Sequence, residues 1–350
     1  MKNLVKIVIV SLLIVSCNKS ADYPISNYIL RGGAFIVNEG NFRSGNGSLS
    51  FYSYDSLKIF NDLFVNANGR PLGDVPNSMA IKGNNAYIVV NNSGKIEIID
   101  QSTLKSLATI QGLNSPRNIS FISDNKAYVS SLYSDSVAII NLNTFSISGY
   151  INIRRTSESI AIAGNNAFIA NWAQGKEIMV VNTTNDRLVD SIEVGNEPES
   201  MVFDRYGMLW VLCNGGWMRQ YYAKLVEINP SVNKVVKTFT FPTKEESPTC
   251  LKIDGLGQTL YYLDDGVRQM DINSTSLPAT TFIIQESGES FYKLGINPVN
   301  SDIFVTDAVD NTQRGYVLIF KNDGSFVTKQ QAGIIPGSMF FKLTFETTND

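Results

Sequence analysis

A unit of about forty residues recurs along this chain, and one aromatic position marks every copy. Phe35, Tyr87, Tyr128, Phe168, Trp210, Tyr261 and Phe304 each open a short apolar run. They follow Ala34, Ala86, Ala127, Ala167, Leu209, Leu260 and Ile303, in that order. The unit beginning at Pro76 is the clearest. It reads as four short strands: PNSMAI, AYIVV, KIEIID and KSLATI, separated by turns rich in Asn, Gly and Ser. Alternation with a period of two and enrichment in β-branched and aromatic residues predict strands rather than helices. The opening strand recurs as PRNISF from Pro116, SESIAI from Ser157, PESMVF from Pro198, PTCLKI from Pro248 and FYKLGI from Phe291. The third strand often ends in Asp or Asn, at Asp100, Asn141, Asn182, Asn229 and Asp271. Such a side chain bonds the backbone two residues on and starts the turn.

Four strands per unit at this spacing predict an all-β fold, a seven-bladed β-propeller. The count of seven comes from joining the ends. PGSMFFKLTF from Pro336 is an opening strand with nothing after it, and GAFIVNEG from Gly33 is a second strand with nothing before it. The C-terminal strand is therefore expected to complete the N-terminal blade, with GSLSFYSYD and LKIFNDLF as its third and fourth strands.

The repeat places particular residues at one mouth of the central channel, where opening strands begin and second strands end. Asn38, Asn91, Arg117, Trp172 and Tyr292 are expected around that mouth. The unit from Pro198 carries a longer loop, NGGWMRQYYAK, which sets Trp217, Arg219, Tyr221 and Tyr222 over it; FPTKEESPT is also long. Large aromatics and Arg are what binding surfaces favour. The bland alternative for the loop is a tolerated insertion. The chain has no histidine. That removes Ser-His-Asp and Cys-His chemistry and the commonest zinc ligand. A divalent-metal hydrolase of the lactonase type would rely on oxygen ligands, and Glu39, Glu199 and Asp264 are its candidate residues. No catalytic residue, resident cofactor or metal is expected.

The N-terminus predicts export. Lys2 and Lys6 precede an apolar stretch that is short for a membrane span, and Ile14, Val15, Ser16 and Cys17 resemble a lipobox. Residues 1–16 read as a lipoprotein signal peptide, 17–32 as the lipidated Cys17 and its tether, and 33–350 as one propeller. Acyl chains would anchor the protein to a membrane without crossing it. Cys213 and Cys250 fall in apolar strand patterns and read as buried free thiols, although an exported chain could pair them. Net charge is −3, which gives no nucleic-acid signal.

Three stretches carry a resemblance: FIVNEGN at Phe35 to Asn41, LGDV at Leu72 to Val75, and AYIVVNNSGKIEIID at Ala86 to Asp100. Together with the lipobox they resemble the YncE-like, seven-bladed surface lipoproteins of Bacteroidetes-type bacteria, and among these the cobalamin-capturing branch. The likeness runs from about Gly33 to Phe345. It implies a non-enzymatic lipoprotein on the outer-membrane surface that binds a corrinoid and passes it to a TonB-dependent transporter. The alternatives are the metal-dependent hydrolase and a protein–protein scaffold.

Overall fold

The computed structural model describes Ile29 and residues 31–342. The proposed signal peptide and Cys17 lie outside the described residues. The described chain forms seven antiparallel sheets arranged as the blades of a propeller. Blade 1 is closed as the sequence predicts. Pro336–Lys342 pairs with Gly33–Asn38, which pairs in turn with Ser48–Ser53 and Lys58–Phe60. The seven inner strands contact one another in sequence and close into a ring.

The recurring dipeptide explains how the blades stack. The core divides into seven clusters, one in each gap between neighbouring blades. Successive residues of a strand point to opposite faces of its sheet. Ala86 therefore packs back against blade 1, while Tyr87 packs forward into blade 3. Ala127 and Tyr128 split in the same way, as do Leu209 and Trp210. All seven marker aromatics are buried. The pair is thus a two-sided connector, and its repetition forces blade upon blade.

The five predicted turn residues act as expected. The carboxylate or amide oxygen of Asp100, Asn141, Asn182, Asn229 and Asp271 accepts the N–H two residues on, at 2.8–3.0 Å. Asp100 also accepts from the Thr103 N–H and hydroxyl. These bonds hold its carboxyl below the usual range, with the Thr103 backbone contributing most. Asp100→Ala is expected to lower stability by about 1 kcal/mol, read as a lower urea midpoint with an unchanged slope.

Two elements differ from the sequence reading. LKIFNDLF does not continue as a strand: only Lys58–Phe60 pairs, and Leu63–Asn68 forms a short helix. Leu63 and Phe64 there bury into the gap between blades 1 and 2. Blade 6 keeps three strands, Thr249–Ile253, Thr259–Leu263 and Val267–Asp271. Its outer strand is reduced to a single bridge between Val267 and Ile283. The segment between, NSTSLPATT, lacks alternation, and Pro278 has no N–H for a ladder.

Candidate functional site at the channel mouth

The inner strands do not start as regular strands. At the mouth end the register slips at Asn77, at Arg117 and Asn118, at Glu199, at Cys250 and Leu251, and at Tyr292. A β-bulge leaves its extra residue unpaired and re-aims its side chain. The bulged residues stitch neighbouring blades together around the channel. Asn77 Nδ2 and Ser78 Oγ both donate to the Arg117 carbonyl, at 2.8 and 2.7 Å. Asn118 Nδ2 donates to the Glu158 carbonyl, and the Cys250 N–H donates to Glu199 Oε2 at 2.9 Å. Ser338 Oγ joins blade 1 to blade 2 by donating to the Asn77 carbonyl.

Charged and aromatic groups gather within this ring. Arg117 makes a two-pronged ion pair with Glu158, Nε to Oε2 at 2.7 Å and Nη2 to Oε1 at 3.0 Å. Both side chains are largely buried. The guanidinium lies over the Trp172 ring, 5.7 Å from its centroid. Burial opposes the charge on Arg117, yet Glu158, and beyond it Glu39 and Tyr292, hold its pKa above the ordinary value. Tyr292 Oη donates to Glu39 Oε1 at 2.8 Å, joining blade 7 to blade 1. Gly337 makes room for this carboxylate, because a Cβ there would sit 3.2 Å from Glu39 Oε1 and 3.0 Å from the Val37 carbonyl. The Lys293 ammonium lies 5.0 Å from the centroid of the Tyr292 ring. Burial works against its charge, but Cys250, Tyr292, Glu199 and Glu39 outweigh it and push its pKa up. Trp172 Nε1 is buried with no hydrogen-bond partner among the described residues.

The structure therefore brings together Arg117, Trp172 and Tyr292 among the residues expected at the mouth. Glu39 and Glu199 join them. Lys293, Glu158 and Cys250 complete the cluster. Lys293 and Cys250 escaped the sequence reading because regular alternation gives no hint of a bulge. Asn38 is instead fully buried. Its Nδ2 donates to Ser48 and Ser50 Oγ, and its Oδ1 accepts the Gly333 N–H. Asn91 is buried too, with its Nδ2 on the Pro116 carbonyl. Both amides are committed to holding loops, not to lining the mouth. Asp264 stands apart beside Arg268; burial raises its pKa against that neighbour. Among the described residues no group of three Cys, Asp or Glu side chains is placed to hold a metal ion. Cys213 and Cys250 are both buried and unpaired.

The long loop of blade 5 is laid out on the surface. Trp217 is 88% exposed, and Tyr221 and Tyr222 are also exposed. Gly215 allows its tight return: φ is +83°, and a Cβ would come within 2.4 Å of the Tyr221 carbonyl. Arg219 pairs with Glu245 at 2.9 Å, and Lys244 lies over the Tyr222 ring, so the two long loops meet. Trp217 and Tyr221 line a groove of about 480 Å³ with Gln174, Gly175, Asn196 and Glu197. Gln174 and Gly175 belong to the turn that Trp172 begins, since the Gly175 N–H donates to the Trp172 carbonyl. One turn thus joins the groove to the channel cluster.

Comparison with known proteins gives a family match and several propellers of the same fold. The family described as a domain of unknown function, DUF5074, matches residues 32–332. The seven-bladed beta-propeller protein Rv1057 of Mycobacterium tuberculosis is 24% identical over 139 residues, covering 37% of this chain and 34% of that protein. The chain spans between about a third and a half of the length of the curated relatives it matches. A quinonprotein alcohol dehydrogenase-like protein from Bacteroides thetaiotaomicron shares the fold with a TM-score of 0.69 at 13% identity, over 89% of this chain and 78% of that one. A putative 6-phosphogluconolactonase from Bacteroides fragilis does so with a TM-score of 0.66 at 14% identity, over 89% and 98%. At these identities the likeness concerns the fold.

Proposed function

The chain belongs to the DUF5074 family, and from that premise we propose that it is a non-enzymatic binding propeller whose mouth captures a corrinoid for hand-over to an outer-membrane transporter. The convergence of Arg117, Trp172 and Tyr292 on one channel mouth, joined by the Trp172 turn to the Trp217 groove, is the observation that carries this reading. A corrinoid is broad, rimmed with amides and partly apolar. It needs a wide surface that offers aromatic faces together with hydrogen-bonding groups. With no histidine in the chain, recognition would read ring shape and peripheral amides rather than ligate cobalt through imidazole. Lipidation at Cys17 and display at the outer-membrane surface, beside a TonB-dependent transporter, belong to the same proposal. Among the described residues no helix is long and apolar enough to cross a membrane.

Calorimetric titration with cyanocobalamin, of a chain begun just after Cys17, tests the proposal. One-to-one binding is the expected result, and Trp172→Ala and Trp217→Ala should each weaken it about tenfold or more while leaving the melting temperature close to wild type for the exposed Trp217. Absence of both heat and thermal shift would remove the corrinoid. Unchanged affinity in Trp217→Ala would confine the site to the channel.

A further inference from the structure

Lys293 has no close ion-pair partner among the described residues. It is half-buried at the channel mouth, and its backbone N–H is taken by Thr306 Oγ1 at 2.9 Å. Its ammonium lies over the face of Tyr292. It has no hydrogen bond among the described residues, and every described carboxylate oxygen lies beyond 4.0 Å. Withdrawing an ammonium from bulk water is costly unless its donors are met. Around it the acceptors are only half used. Glu39 accepts from Tyr292 through one oxygen, and Glu199 accepts from the Cys250 N–H through one oxygen. Their other oxygens have no partner among the described residues.

We infer that the mouth holds a subsite for a primary carboxamide, with Lys293 donating to its carbonyl oxygen and Glu39 and Glu199 accepting from its two N–H groups. This deepens the ligand-binding reading given above and rests on it. Charge selects the class. A carboxylate or phosphate would meet Lys293 but would be repelled by Glu39 and Glu199. An ammonium would meet the glutamates but be repelled by Lys293 and leave its donors unmet. A hydroxyl offers a single donor to two carboxylates. A primary amide is neutral and offers one acceptor and two donors.

The Lys293 ammonium resonance of 15N-lysine-labelled protein, assigned by its loss in Lys293→Met, reads the subsite without any assumption about the full ligand. Saturating propionamide is expected to shift that resonance in the wild-type protein, while propionate and propylammonium do not. Glu39→Gln should weaken that response. An equal shift with propionate, or no shift with propionamide, would each overturn the inference. In parallel, Lys293→Met is expected to weaken cyanocobalamin binding about tenfold or more, as loss of a charged hydrogen bond does, with Lys293→Arg retaining part of the affinity. A propionamide shift without cyanocobalamin binding by the wild type would sink the corrinoid and keep the subsite. Tight cyanocobalamin binding without a propionamide shift would do the reverse.

Discussion

A chain ended at Ile335 is expected to lose its cooperative unfolding transition, rather than fray at one end. Pro336–Lys342 supplies the inner strand of blade 1 and one of the seven members of the central ring. Its side chains serve two interfaces at once. Phe340 packs into the gap between blades 1 and 2, while Met339 and Phe341 pack into the gap between blades 7 and 1. The Phe341 ring meets Phe304 edge-on at 5.1 Å. Removing the strand opens both gaps, strips the ladder from Gly33–Asn38 and leaves an unpaired edge. Domains of ordinary stability hold about 5–15 kcal/mol in reserve, and two opened interfaces plus a lost ladder consume an amount of that order. Calorimetry should show no sharp endotherm. A sharp endotherm shifted by only a few degrees would mean that the ring tolerates an open blade. Phe341→Ala is the milder version, expected to cost about 2–3 kcal/mol because the ring is only partly buried.

The second large effect is expected at Glu97, among the described residues the one fully buried carboxylate with several cationic partners. Glu97 Oε1 accepts from Arg70 Nη2 at 2.5 Å and from Ser106 Oγ at 2.6 Å, and Oε2 accepts from Lys95 Nζ at 2.9 Å. Arg70 comes from the connection between blades 1 and 2 and stacks on Phe64 of the short helix. The cluster therefore pins that connection onto the outer strands of blade 2. Glu97→Ala leaves two cations without their counter-charge and should cost about 3–4 kcal/mol; Glu97→Gln keeps the shape and should cost less. Burial by itself would raise the Glu97 pKa, but Arg70, Ser106 and Lys95 together hold it below the ordinary range. A carboxyl depressed in the folded state contributes stability that is present above its unfolded pKa and is lost as pH falls through the folded one. The melting temperature of the wild type should thus fall more steeply below about pH 4.5 than that of Glu97→Gln. Parallel curves would show that the cluster does not stabilise the fold.

The architecture was legible because its determinants are local and repeated. Ala86 and Tyr87 declare a strand with two buried faces, and six further copies declare a ring of such strands. Asp100 and its four counterparts mark their own turns, since each bonds a backbone group two residues away. Blade 6 and the Leu63–Asn68 helix escaped for the opposite reason: there the outer strand's place is taken by chain held through long-range packing. The mouth was only partly legible. Arg117, Trp172 and Tyr292 lie where the repeat puts them, yet Asn38 and Asn91, at the ends of second strands, turn inward to hold loops.

What the sequence determined by itself is the number of blades, the way they stack and the strand that closes them. Each of these follows from periodicity and from side-chain polarity, which a chain carries whatever its fold. What only the tertiary structure decided is which polar groups share the mouth. Glu39 meets Tyr292 across a separation of 253 residues, and Arg117 meets Glu158 across 41. Those meetings depend on ring closure and on bulges that rotate single residues out of register. No local pattern encodes such a rotation, because its energetic reason lies in the neighbouring blade.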